Sequence, residues 1–127
     1  MTATAEDDRI ARIVVDAAFR VHSTLGPGLM ETVYEQCLVH EFGKRGMPVR
    51  RQVSLPIVYN DLRIDNAFRI DLLVADTLIV EVKATEQHHP LFEAQLLTYL
   101  RLSGKRLGLL MNFNVPRIKD GIRRLVI

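Results

Sequence analysis

The stretch Phe68–Lys83, FRIDLLVADTLIVEVK, reads as two β-branched, apolar runs joined at Ala75-Asp76-Thr77 and carrying Asp71, Glu81 and Lys83. Alternation along a strand puts Arg69, Asp71 and Leu73 on one side of the first run, and Ile79, Glu81 and Lys83 on one side of the second. A two-residue loop at Asp76-Thr77 would oppose Asp71 to Val82, whereas a three-residue loop of Ala75, Asp76 and Thr77 opposes it to Glu81. The three-residue loop is the expected one. Two carboxylates so opposed have Cβ atoms roughly 4.5–5.5 Å apart and repel unless something cationic lies between them. A divalent cation is the natural occupant. Ile70, Leu72, Val74, Leu78, Val80 and Val82 are all apolar and are expected to bury the opposite face, which makes the hairpin central and its charged face partly enclosed. The competing reading is an ordinary cross-strand ion pair of Asp71 with Lys83 on a solvated face, with Glu81 exposed beside it.

The chain of 127 residues is expected to form one domain with a core of its own. Its 48% hydrophobic and 25% charged content is that of a globular protein. MTATAEDDR has neither a basic n-region nor an apolar h-region, and no apolar run approaches the length of a membrane span, so the expected compartment is cytoplasmic with no membrane partner. The single cysteine, Cys37, excludes an internal disulfide and a thiolate zinc site. Charge is distributed unevenly: residues 1–48 and 49–100 each hold 5 basic and 7 acidic side chains, whereas 101–127 holds 7 basic and 1 acidic. Arg101, Lys105, Arg106, Arg117, Lys119, Arg123 and Arg124 form either a phosphate-binding face or a merely solvated one.

Ile10, Ile13, Val14, Ala17, Ala18 and Val21 recur at helical spacing behind a weak Thr4/Asp7 capping box, which predicts a helix near 5–23. Gly26-Pro27-Gly28 breaks it, and Met30, Val33, Tyr34, Cys37, Leu38 and Phe42 mark a second helix that ends between Gly43 and Gly46. Projected at about 100° per residue, Glu31 falls between Leu38 and Phe42 inside the apolar arc, and Tyr34 lies on the same side. Favourable interaction with the helix dipole explains an early Glu equally well. Val49 to Tyr59 alternate as an edge strand interrupted by Pro56, and Asn60-Asp61 turns into a short partner around Leu62–Ile64. His88 and His89 read as loop residues and not as a zinc pair. A helix from about Leu91 to Leu102 stacks Gln95 and Tyr99 on one face beside Phe92 and Leu96. A buried strand from Leu107 to Phe113 and a last strand near Ile122–Ile127 complete the order α, α, β, β, β, α, β, β. That order is an α/β mixed sheet flanked by helices.

With these residues assembled, the chain resembles the GxxExxY family of the PD-(D/E)XK nuclease superfamily. Gly28-x-x-Glu31-x-x-Tyr34 matches the family's motif, Asp71 followed by Glu81-x-Lys83 matches the catalytic signature, and Gln95-x-x-x-Tyr99 is similar to the motif of the exonuclease-like branch. Asn112-Phe113 and Gly121-Ile122-x-Arg124 extend the likeness from about Val21 to the end, and Ile70 stands where the superfamily name has proline. The resemblance implies a restriction-endonuclease-like core and Mg²⁺- or Mn²⁺-dependent hydrolysis of a phosphodiester. Asp71, Glu81 and the carbonyl of Val82 would hold the metal, with Glu31 reaching it directly or through water. Lys83 would serve the attacking water and the phosphate charge, and Gln95 would orient one of them. Tyr34, Tyr99, Lys105, Arg106, Arg117, Lys119, Arg123 and Arg124 would contact nucleic acid, DNA rather than RNA, with a second copy or a protein partner helping to select substrate. The alternative is a module that keeps the fold to bind nucleic acid or protein without turnover.

Overall fold

The structure, a computed structural model, describes residues 3–127. Helix α1 spans Ala5–Leu25 and starts on the complete capping box: the Thr4 hydroxyl accepts from the Asp7 N–H, and the Asp7 carboxylate accepts from the Thr4 N–H. Helix α2 is Glu31–Lys44, after which β1 (Val49–Tyr59), β2 (Leu62–Val74) and β3 (Leu78–Lys83) follow as a meander. Helix α3 (Pro90–Ser103) crosses over to β4 (Leu107–Asn112), and a 3-10 turn at Ile118–Gly121 leads into β5 (Ile122–Val126). The five strands stand in sequence order across the sheet, so β1 is an edge as expected; β3 and β4 are parallel and the other neighbours antiparallel. The parallel pair requires a crossover, and α3 supplies it.

Two cores result. Helices α1 and α2 pack on one face with Leu72, Val74, Leu78, Val80, Val82, Leu107, Leu109 and Met111, while α3 packs Leu96 and Leu100 on the other against Leu73, Ile79 and Leu110. Helix α3 lies so close that a Cβ at Gly108 would stand 2.9 Å from Leu96 Cδ1. Among the described residues no helix is long and apolar enough to cross a membrane.

The hairpin register is the expected one. Val74 pairs with Leu78 and Leu72 with Val80 across the loop Ala75-Asp76-Thr77, so Asp71 and Glu81 are the next residues to face each other. Two expectations about the sheet need correction. Leu62–Ile64 is not a separate short strand but the start of a continuous β2. Ile70 does not join Leu72 and Val74; it packs toward α3, because the strand changes face at Asp71. In addition, among the described residues β3 pairs only with Leu72–Val74 of β2, and from Leu62 to Arg69 the β2 strand pairs with β1 alone, so that the hairpin continues past β3 as a two-stranded ribbon. The ribbon's register shifts at Pro56, where residues 65–67 of β2 stand opposite a single residue of β1, and Ile57, Tyr59, Leu62 and Ile64 share one of its faces near the tip.

Candidate active site

At the end of the β2–β3 ladder, side chains replace backbone pairing. The Asp71 N–H donates to Glu81 Oε2 at 2.8 Å, and the Val82 N–H donates to Asp71 Oδ2 at 2.9 Å. The second oxygen of each carboxylate has no hydrogen-bond partner among the described residues. Glu81 is only 3% exposed. Burial first, then the neighbouring Asp71 charge, pushes its carboxyl up to about 8, with Lys83 pulling the other way. Asp71 is raised as well, mainly by burial, with the charges of Glu35 and Glu31 adding to it and the Val82 N–H opposing.

Lys83, one strand step beyond, holds its Nζ 4.8 Å from the centre of the Phe92 ring on α3. Among the described residues no salt bridge joins it to Asp71, and Glu81 is buried, so the reading of a plain cross-strand ion pair on a solvated face fails. Tyr99 stacks on Phe68 at 4.9 Å between centroids, and its phenol is raised by burial and by the charges of Glu81 and Asp71, while a hydrogen bond with Gln95 opposes. Gln95 and Tyr99 therefore stand beside the carboxylates, with Gln95 exposed.

Other expected site residues lie elsewhere. Glu31 is exposed, not inward, and its neighbours Met30 and Val33 at the start of α2 are exposed too. Its charge still reaches Asp71. Tyr34 is fully buried, stacked on Phe113 at 4.5 Å, and its hydroxyl donates to Gly26 O at 2.7 Å and accepts from the Leu29 N–H at 3.1 Å. It pins the loop between α1 and α2 and offers no ring to nucleic acid.

The basic side chains of residues 101–127 do not assemble into one face. Lys105 and Arg106 precede β4, which runs parallel to β3, and therefore sit roughly 15 Å of strand from the level of Glu81. Lys105 pairs with Asp76, and Arg106 hydrogen-bonds Asp7. Arg117 pairs with Asp120, and Lys119 is exposed on the 3-10 turn whose Ile118 packs on the α1/α2 side. Arg124 pairs with Asp8 of α1, whereas Arg123 turns to the α3 side and pairs with Glu93 at 3.3 Å. Arg123 shares a row across the sheet with Leu110 and Glu81. It alone of the five Arg and Lys side chains paired in this segment faces the carboxylates' side.

The carboxylate that helical projection missed is Glu35, only 4% exposed. Gln52 Nε2 lies 3.0 Å from each of its oxygens and Arg51 Nε 3.1 Å from Oε1. Its charge raises both Asp71 and Glu81. The signal for it was the pair Arg51-Gln52, polar residues where the alternation of β1 admitted a change of face.

Among the described residues no three His, Cys, Asp or Glu side chains converge into a ready-made cation cage. The chemistry of the Asp71–Glu81 pair nevertheless suits a hard divalent ion: two carboxylates held together against repulsion, each with one oxygen unengaged, and both disfavouring the ionised state that a cation would restore. A family model described as the PD-(D/E)XK nuclease superfamily matches residues 8–125. No curated protein and no solved structure matches the chain. Since the matched span takes in the carboxylate strands, the crossover helix and nearly all the rest of the fold, the chain belongs to the PD-(D/E)XK nuclease superfamily.

Proposed function

We propose that the chain is a divalent-cation-dependent nuclease of the GxxExxY type that hydrolyses phosphodiester bonds, with DNA as the favoured substrate and Mg²⁺ or Mn²⁺ as the cofactor. The observation that carries this reading is the opposition of Asp71 to Glu81, with Lys83 at the next position on the same side of β3. When bound, the cation lowers the pKa of a coordinated water and neutralises phosphate charge. Asp71 and Glu81 would hold it, with the Val82 carbonyl beside them and Glu31 contributing through water. Lys83, steadied over Phe92, places a positive charge where negative charge grows on the phosphate. Gln95 and Tyr99, hydrogen-bonded to each other, orient the water or a phosphate oxygen. Arg123 is the basic residue best placed to meet the nucleic-acid backbone on the α3 side.

The test is a cleavage and retention assay with Mg²⁺ and Mn²⁺ on labelled linear, circular and single-stranded DNA and on RNA, comparing wild type, Lys83→Ala and Glu81→Gln. Cleavage by the wild type that falls in both variants supports the nuclease reading. Retention without cleavage across the whole panel would replace it with a non-catalytic binding module, and identical residual cleavage in all three proteins would mark a contaminant.

A further inference from the structure

Gln52 stands opposite Asp71 in the β1–β2 ladder, yet the two do not pair: Arg51↔Leu72 and Val53↔Ile70 bracket an empty step in a register that is constant from Val49 to Leu55. The Ala75 N–H donates to Pro48 O at 2.7 Å, which places the hydrogen-bonded pairs of this ladder at every second position from Ala75. By that alternation the Asp71 N–H belongs to Gln52. It goes instead to Glu81 Oε2. The cause is visible in β1, where Gln52 has φ 51°, a left-handed conformation that non-glycine residues seldom adopt within a strand. Both strands change face there. Val53 and Ile70 pack toward α3, whereas Val49 and Leu72, which strict alternation would place with them, pack toward α1 and α2. Its side-chain amide lies 3.0 Å from each oxygen of the buried Glu35.

We infer that Gln52 is a positioning residue: its left-handed backbone withdraws β1 from Asp71 and so turns Asp71 onto β3 beside Glu81. What it positions is the cation-binding pair of the proposed function, on which the inference rests for its purpose though not for its geometry. An extended residue at position 52 would let β1 reclaim the Asp71 main chain, and the Val82 N–H would lose the Asp71 carboxylate.

The experiment compares Gln52→Gly, which tolerates the left-handed backbone, with Gln52→Val, whose β-branch disfavours it. Two quantities are read on the metal-free full chain: hydrogen exchange of the Val82 amide by NMR, and Mn²⁺ affinity by calorimetry. Gln52→Val is expected to expose the Val82 amide and to weaken Mn²⁺ binding by about 10-fold or more, the range for residues that orient a metal's ligands. Gln52→Gly should leave both near wild type. Equal losses in the two variants would overturn the inference, since they would implicate the side-chain amide and not the backbone; so would an unchanged Val82 amide and Mn²⁺ affinity in Gln52→Val. If the wild type binds no Mn²⁺, the cation reading falls and Val82 exchange alone decides the positioning role. Should Gln52→Val fail to fold, Gln52→Ala measured against Gln52→Gly makes the same comparison.

Discussion

Metal-free protein should lose stability as pH rises through the neutral range, and Glu81→Gln should abolish most of that loss. The unfolded carboxyl titrates near 4.5, whereas in the native state it is pushed up to about 8, so between these values the folded chain binds the extra proton. A raised carboxyl favours the native state fully below the unfolded value, and the advantage disappears as pH climbs through the folded one. Each pH unit in that window removes about 1.4 kcal/mol, and from about pH 5 to about pH 8 the sum approaches about 4 kcal/mol. Water drawn in beside the ionised carboxylate relieves part of the desolvation, which brings the expected difference to about 2 kcal/mol, or about 8 °C in Tm for a chain of this size. The assay is thermal unfolding of wild type and Glu81→Gln in chelator-treated buffers across this range, read as the difference between the two proteins so that other titrating groups cancel. Asp71, raised in the same direction, remains in both. A wild-type minus variant difference that stays flat with pH would refute the reasoning, because Glu81 would then ionise in the fold as easily as in the open chain.

Millimolar Mg²⁺ or Mn²⁺ is expected to raise the Tm of the wild type at neutral pH by linkage, and Asp71→Asn to abolish the increase; scanning calorimetry with and without cation decides. Lys83→Ala should lower cleavage by about 10²- to 10³-fold while nucleic-acid retention stays near wild type, measured as single-turnover rates against filter binding. Arg123→Ala should weaken nucleic-acid binding and flatten its salt dependence, whereas Arg124→Ala, on the opposite face with Asp8, should change neither; equal effects would mean that the two faces are not distinguished. Gly121→Ala would drive a Cβ to 2.0 Å from the Asn112 carbonyl oxygen, backbone that cannot move aside, and should destabilise by about 3 kcal/mol in urea unfolding.

Most of the fold was legible because its signals are local. The capping box at Thr4 and Asp7, the break at Gly26-Pro27-Gly28 and the alternation through Phe68–Lys83 each need only a few neighbouring residues to be read. The register of the central hairpin followed from one parity choice, and with it the meeting of Asp71 and Glu81. The second helix shows where such reading stops. A helical projection gives an angle around the axis but not where along the helix burial begins, so it favoured Glu31 in the exposed first turn over the buried Glu35 one turn further on. The basic segment was misleading for another reason: the acids that pair with Arg106 and Arg124 are Asp7 and Asp8, about a hundred residues away along the chain. The face change at Asp71 was hidden because its cause is the backbone of Gln52, a residue with no special propensity for a left-handed conformation.

The ribbon beyond the sheet has a bearing on how the molecule opens. A two-stranded hairpin has marginal stability in water on its own. At its base Leu55 and Phe68 belong to the α3 core, but Val58 and Tyr59 at the tip are 63% and 68% exposed. The tip is thus a separate cooperative unit of low free energy that can melt and re-form while Ile70–Val74 and β3 remain closed. Melting from the tip stops where Phe68 stacks on Tyr99, only two residues short of Ile70. The Phe68–Tyr99 contact therefore acts as a firebreak: it lets the arm exchange its amides with solvent on its own timescale while the strand that carries Asp71 opens only with the whole fold.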